Sequence, residues 1–177
     1  MEHGEGEIQH YEVVVLGAGL SGVCAAIKLK EAGIDNIRIF EKADDVGGTW
    51  RDNHYPGVAC DVPSHLYAYS FAPNPDWSRW YAPGSEIWDY VRRCAMDAAV
   101  YDQITFNTTI ASADWDTNHW TLQDSQGATF TSKSIISALG GLHTPNLPNF
   151  SGQDDFEGLT FHTTDWPDDL DLTGKRV

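Results

Sequence analysis

Apolar residues along the chain occur both as short continuous runs and at helical spacing. Residues 11–16 (YEVVVL) and 37–40 (IRIF) are apolar, β-branched runs typical of buried strands. Between them, apolar residues at helical spacing predict a helix over residues 20–32, with Gly33 as its C-terminal cap. A strand, a helix and a second strand at this spacing form a βαβ unit, so we expect a parallel sheet.

The middle of the chain alternates between irregular and regular patterns. Residues 42–84 lack periodicity and are rich in Pro, Gly, Asn and aromatic residues, and a loop of this length usually carries function. Ser85 is a candidate N-cap for a second helix that extends to about Val100, with an apolar stripe through Ile87 and Val91. The regular pattern of this helix indicates a return to packed structure.

Four short alternating segments follow this helix and predict a small antiparallel β-meander. They are separated by turn-forming residues and comprise residues 104–106, 109–115, 119–124 and 128–131. Residues 133–139 (KSIISAL) predict a further buried strand that returns to the parallel sheet. The predicted fold class is therefore α/β, with a parallel sheet and a small antiparallel insert.

Composition and charge restrict the classes of function. The chain has 177 residues, 41% of them hydrophobic, which suits one domain with a core and excludes a disordered composition. The formal charge of −15 argues against a general binder of nucleic acid or of anionic membranes. No apolar run approaches the ~18 residues that cross a bilayer, and the polar start does not resemble a signal peptide.

The cysteines and histidines show no spacing typical of metal ligands. Cys24, Cys60 and Cys94 lie far apart, which argues against a zinc site or a redox dithiol. We therefore expect no metal, and a reducing, cytoplasmic location.

The segment GAGLSG, residues 17–22, follows the first predicted strand and opens the first helix. In a G-x-G-x-x-G loop, Gly17 allows the tight turn, Gly19 lets the backbone approach a diphosphate and Gly22 lets helix and strand pack closely. Glu41 ends the next strand, where a carboxylate can accept ribose hydroxyls and repel a 2′-phosphate. The pattern favours FAD or NAD over NADP, and the inserted meander favours FAD; the alternative is a purely structural glycine turn.

Three stretches resemble Baeyer–Villiger monooxygenases, over nearly the whole chain from Tyr11. Residues 47–71 (GGTWRDNHYPGVACDVPSHLYAYSF) resemble their flavin-contacting segment, and residues 137–150 (SALGGLHTPNLPNF) resemble their glycine-containing strand end and linker. The family fingerprint F-x-G-x-x-x-H-x-x-x-W-P-[DG] is matched at every fixed position, by Phe156, Gly158, His162, Trp166, Pro167 and Asp168. The related N- and S-oxygenating flavin monooxygenases carry a shorter fingerprint without Trp-Pro-Asp.

The resemblance implies a Rossmann-like FAD-binding domain of the two-dinucleotide-binding flavoprotein type. In the family NADPH, held by a second glycine-loop domain, reduces the flavin. O2 then adds as a C4a-peroxyflavin, which converts a ketone to an ester or lactone. The implied partners are a small-molecule ketone and O2. Two alternatives stay open: an N- or S-oxygenating monooxygenase, and a non-enzymatic truncated FAD-binding remnant.

The resemblance also implies roles for individual residues. The ADP part of FAD would be held by Gly17, Gly19, Gly22 and Glu41, and the flavin would be lined by Thr49, Trp50, Asp52, Cys60 and Tyr67. Asp61 would position a catalytic arginine, the backbone of Ile110 could contact adenine, and His162 would link two domains. By residue type alone, Asp61 could instead cap a loop, Trp50 and Tyr67 could be core aromatics, and Cys60 a small buried residue.

The predicted organisation has three parts. We expect a disordered tail over residues 1–10, the FAD-binding domain over 11–145 and a linker over 146–177 that leads into an NADPH-binding domain. The second glycine loop and the arginine paired with Asp61 would lie beyond Val177, in a missing C-terminal half. The FAD-binding domain is therefore expected to be incomplete, and the isolated chain to retain FAD weakly and to be inactive.

Overall fold

The computed structural model of the chain describes residues 8–177 and shows one six-stranded mixed sheet. The strands are β1 (Gln9–Leu16), β2 (Ile37–Phe40), β3 (Ile104–Thr105), β4 (Ile110–Trp115), β5 (Trp120–Asp124) and β6 (Thr129–Ser137). The helices are α1 (Leu20–Glu31), α2 (Thr49–Asp52) and α3 (Gly84–Asp97). Short 3-10 turns lie at Ser64–Leu66, Tyr101–Gln103, Gln153–Asp155 and Thr163–Asp165. Among the described residues, no helix is both long enough and apolar enough to cross a bilayer.

The strand order is β3-β2-β1-β6-β5-β4, and the parallel and antiparallel parts meet at β6. β1 runs parallel to β2 on one side, with Val13 opposite Ile37, and parallel to β6 on the other, with Val14 opposite Ile135. The β4–β5–β6 strands are antiparallel. The sheet confirms the predicted α/β class, with a parallel part and a small meander.

Alternation along β1 divides the apolar residues between two faces of the sheet. Val13 and Val15 belong to the larger core, which includes the buried residues of α1 and α3. Val14 lies in a smaller cluster with Phe40 and Leu122, which joins the meander to the opposite face. Since all three β1 valines are buried, the run of consecutive apolar residues reflects a strand covered on both sides.

Several predicted boundaries were wrong. The segments at 128–131 and 133–139 are one continuous strand, β6, whose first half pairs with β5 while its whole length pairs with β1. Residues 104–105 do not belong to the meander, because β3 pairs in parallel with β2. Because β6 pairs with two strands without an intervening turn, the sequence carries no turn signal at the point where its neighbours change.

Two predicted termini also differ from the structure. Pro83, not Ser85, occupies the N-cap position of α3, with no side-chain cap. Proline suits a helix start because it has no amide N–H that needs a partner. β1 begins at Gln9, so the last two residues of the predicted disordered tail are strand; residues 1–7 lie outside the described part.

A buried carboxylate fastens the loop after β2 to α3. Asp45 is buried; its Oδ2 accepts a hydrogen bond from Arg92 Nε at 2.8 Å, and its Oδ1 accepts one from the Tyr101 hydroxyl at 2.8 Å. Burial by itself raises the pKa of Asp45, but these bonds, with one from the Val46 amide, hold that pKa below its usual value. The ionised carboxylate therefore stabilises the folded loop.

We expect Asp45→Asn to lower the free energy of unfolding by about 1–2 kcal/mol at neutral pH, because a charge-assisted bond is lost. A depressed pKa contributes stability that is present above the ordinary value of 3.8 and is lost as pH falls through the lower folded value. The difference between wild type and variant should therefore shrink below about pH 4, as measured by urea unfolding at several pH values.

Asp89→Asn is the matched control, since Asp89 lies 3.7 Å from the same Arg92 but is largely exposed. Its effect should be close to zero. An equal loss in both variants, or a loss for Asp45→Asn that does not change with pH, would contradict the assignment.

Candidate cofactor-binding site

The loop between β1 and α1 is held by two close approaches that only glycine permits. Gly17 has φ +97°, and a β-carbon on it would lie 2.7 Å from the carbonyl oxygen of Ala138. A β-carbon on Gly22 would lie 1.9 Å from the carbonyl oxygen of Gly17. The first and third glycines of the loop are therefore required by the packing of the strand end against the helix.

Gly19 is different, because nothing in the fold requires a glycine there. Its φ is −74°, and a β-carbon would find only the Cα of Gly48, at 3.8 Å. Within residues 8–177 no side chain caps α1, and its first turn holds no acidic residue. The first amides of a helix have no intrahelical acceptor, so an uncovered backbone and a positive helix end coincide at Gly19. This arrangement suits a diphosphate.

Glu41 lies beside this loop, as the sequence predicts. Its side chain is buried; Oε2 accepts the N–H of Ala18 at 2.7 Å, and Oε1 accepts the N–H of Ala43 at 3.1 Å. The carboxylate is therefore fixed by the backbone next to the helix N-terminus. Thr108 donates its N–H to the carbonyl of Glu41, so Ile110 lies two residues from this contact, at the start of β4.

The predicted flavin-contacting segment crosses directly over the glycine loop. Gly47 donates its N–H to the carbonyl of Ala18 at 3.0 Å, and a β-carbon on Gly48 would lie 3.2 Å from the Cα of Gly19. α2 follows at once, so its exposed Thr49 and half-buried Trp50 and Asp52 lie close to the loop. The structure therefore brings the predicted phosphate-binding and flavin-contacting residues together.

Trp50 and Tyr67 form one aromatic pair. The indole N–H of Trp50 donates to the Tyr67 hydroxyl at 3.0 Å, and the rings meet edge to face with centroids 5.5 Å apart. Burial raises the pKa of the Tyr67 phenol. Both rings also pack against the main core, so the two proposed roles, core aromatic and flavin contact, are compatible in space.

Cys60 and Asp61 are adjacent but differ in environment. Cys60 is buried, and its N–H donates to the carbonyl of Ala82 at 2.9 Å. Asp61 is exposed. An exposed carboxylate is accessible to a cationic partner, which is what the predicted role requires; the role itself stays a prediction.

The fingerprint segment meets the flavin-contacting segment through a histidine that the sequence reasoning missed. Nε2 of His54 lies 2.9 Å from the carbonyl oxygen of Trp166 and 3.3 Å from Oδ1 of Asp168. His162, the fingerprint histidine, instead accepts the N–H of Thr164 within its own turn, at 3.2 Å. His54 stands in an irregular segment, so no periodicity could have indicated its partner.

The remaining fingerprint residues have local contacts. Trp166 packs edge to face on Phe161, with centroids 5.1 Å apart, and Pro167 follows it half-buried. Phe156 is exposed, and a β-carbon on Gly158 would lie 2.4 Å from its ring. The glycine therefore lets the chain pass over the phenyl ring.

A cavity of about 280 Å³ lies between α2 and the 3-10 turn Thr163–Asp165 of the fingerprint segment. It is lined by residues of three segments, among them Lys42, Thr49, Asp52, His143, Thr164 and Asp165. The cavity brings polar groups of both charges into one place, next to the predicted flavin contacts.

Comparison with known proteins supports the resemblance. Residues 15–83 match a family described as an NAD(P)-binding Rossmann-like domain. A Baeyer–Villiger monooxygenase of Pseudomonas aeruginosa is 43% identical over 171 residues, which is 96% of this chain and 32% of that protein. A steroid monooxygenase with bound NADP superposes with a TM-score of 0.83 at 38% identity, over 94% of this chain and 33% of its own. An open form of cyclohexanone monooxygenase superposes with a TM-score of 0.82 at 36% sequence identity, over 93% of this chain and 33% of its own.

The chain is a homologue of Baeyer–Villiger monooxygenases. It spans about a third of the length of the curated relatives it matches. The Baeyer–Villiger resemblance from the sequence is thereby confirmed, and so is the Rossmann-like fold. The roles of the individual residues stay predictions.

Since His54 contacts the Baeyer–Villiger fingerprint, we expect His54→Ala to loosen it. Amide hydrogen exchange over residues 161–168 should become faster by a factor of about 2 to 10, the worth of one exposed hydrogen bond. His65→Ala is the control, because His65 is also an exposed histidine of the same loop. Unchanged exchange in His54→Ala would show that the contact does not hold the segment.

Proposed function

We propose that the chain is the FAD-binding part of an NADPH- and O2-dependent monooxygenase that converts ketones to esters or lactones. The supporting observation is the uncovered backbone at Gly19, beside a buried Glu41, in a homologue of Baeyer–Villiger monooxygenases. The fold explains Gly17 and Gly22 but not Gly19, whose lack of a side chain serves a group outside the chain.

The residues present fit FAD. The N-terminal amides of α1 would donate hydrogen bonds to the diphosphate, and the carboxylate of Glu41 would accept hydrogen bonds from the adjoining ribose. Backbone amides would supply the positive potential, which suits a chain with a formal charge of −15. The segment that crosses the loop at Gly47 and Gly48 would place Thr49, Trp50 and Asp52 along the flavin half.

The chain's own residues would bind and orient the cofactor, and bound FAD would supply the redox chemistry. The Trp50–Tyr67 pair would form an apolar wall that excludes water from one side of the flavin. Asp61 would hold an arginine where negative charge develops during attack on the ketone. Ile110 would present its backbone to adenine.

A β-carbon at Gly19 tests the cofactor site without disturbing the fold. We expect Gly19→Ala to weaken FAD binding at least about tenfold, because the new methyl group covers the backbone that approaches the diphosphate. FAD affinity is measured by quenching of flavin fluorescence. Thermal stability should change little, since the nearest atom lies 3.8 Å from the added carbon.

Gly22→Ala is the contrasting variant and should destabilise the protein itself, because its β-carbon would lie 1.9 Å from the carbonyl oxygen of Gly17. The proposal fails if the wild-type chain shows no FAD binding, or if Gly19→Ala binds FAD as tightly as the wild type does.

The reaction class is tested on the whole protein to which we propose that this segment belongs. With NADPH and O2, a ketone should yield an ester or lactone, and the rate of NADPH consumption should rise when the ketone is added. An amine and a sulfide are the comparison substrates. Oxidation of either of these without ester formation from any ketone would assign the segment to an N- or S-oxygenating enzyme.

A further inference from the structure

Among the described residues, Arg51 is the one side chain that connects Glu41, the proposed ribose-binding residue, to α2. Its side chain is only 8% exposed. Nη1 lies 3.4 Å from Oε1 of Glu41 and donates to the carbonyl of Asp45, while Nε and Nη2 donate to Oδ1 of Asp52, at 2.9 and 2.7 Å. The guanidinium therefore bridges the loop after β2 and the first turn of the flavin-contacting segment.

The ion pair between Arg51 and Glu41 matters energetically because both side chains are buried. The side chain of Glu41 is 6% exposed, so its charge is removed from water. An unpaired buried charge is strongly unfavourable, and a nearby cation and hydrogen bonds to the charged form compensate for it. Arg51 is the cation that pairs with Glu41, at 3.4 Å, and the amides of Ala18 and Ala43 supply the hydrogen bonds.

We propose that Arg51 is a positioning residue for Glu41: it holds the carboxylate beside the glycine loop, in the orientation that accepts the ribose hydroxyls. The proposal rests on the proposed FAD site. Arg51 acts through Glu41 and through α2, and it does not itself contact the dinucleotide.

A direct phosphate contact by Arg51 is the rival role. The guanidinium has five N–H groups, and its three nitrogens already serve Asp52, the Asp45 carbonyl and Glu41. A group so occupied has little capacity left for a phosphate. Arg51 also lines the cavity beside α2, but its side chain is only 8% exposed there, so the test below includes the direct contact as an outcome.

The test compares FAD with its analogue that carries 2′-deoxyadenosine in place of adenosine. The analogue lacks one hydroxyl that Glu41 would bind, so wild type should prefer FAD by about tenfold, the worth of a hydrogen bond to a charged group. Glu41→Gln gives the ratio expected when the charge is lost. Arg51→Met should lower the preference toward the ratio of Glu41→Gln, and Arg51→Lys should restore part of it.

Arg92→Met is the matched control, because Arg92 fastens the same loop through the side chain of Asp45 and does not contact Glu41. It should lower the affinity for both ligands by the same factor and leave their ratio unchanged. Circular dichroism confirms folding; if Arg51→Met does not fold, Arg51→Lys decides, and its ratio should lie between that of the wild type and that of Glu41→Gln.

The two proposals fail in different ways. An unchanged ratio in the Arg51 variants overturns the positioning role, and weaker binding of both ligands at that unchanged ratio would assign the direct phosphate contact. If wild type binds neither ligand, the FAD proposal falls. The positioning role is then tested by hydrogen exchange of the Ala18 amide, which donates to Glu41 at 2.7 Å. The exchange rate of this amide should rise in Arg51→Met but not in Arg92→Met. Equal rates in the two variants overturn the positioning role.

Discussion

The close contact between the end of β1 and the first turn of α1 is the constraint on which the site depends. The Gly17 carbonyl occupies the space where a side chain of Gly22 would lie, and the Gly17 amide donates to the carbonyl of Phe40 at 2.8 Å. The Ala138 amide in turn donates to the carbonyl of Leu16 at 2.9 Å. The ends of β1, β2 and β6 therefore meet at one turn, and these contacts fix the position of the N-terminus of α1.

Around this turn, two acidic residues are buried and each is paired with an arginine. The chain has 26 acidic and 11 basic residues, and two of its arginines serve the loop after β2. Arg51 lies next to Glu41, and Arg92 binds Asp45. Their pairing with buried carboxylates stiffens the loop, while the backbone of α1 stays available to an anion. An acidic protein can thus offer an anion site without a basic surface.

The parts of this site that the sequence could predict are those set by local geometry. The βαβ unit, the glycine loop and the position of Glu41 follow from spacing that each element shows by itself. The partners of Arg51 and His54 could not be predicted, because they depend on how an irregular segment folds back across the loop. The meander was only partly predicted, because β6 is one strand whose two halves have different neighbours: the first half pairs with both β5 and β1, and the second half with β1. The fingerprint was recognised by its spacing, but its contact came from His54 and not from His162.

The central place of β6 has a consequence for how the chain reaches its fold. β1 and β2 are joined by one helix, so their pairing closes a short loop. The pairing of Val14 with Ile135 closes a loop more than one hundred residues long, at a cost in chain entropy that is met before β6 gains any contact with β1. The predicted phosphate-binding turn is thus completed only when β6 pairs with β1 and brings the Ala138 carbonyl beside Gly17.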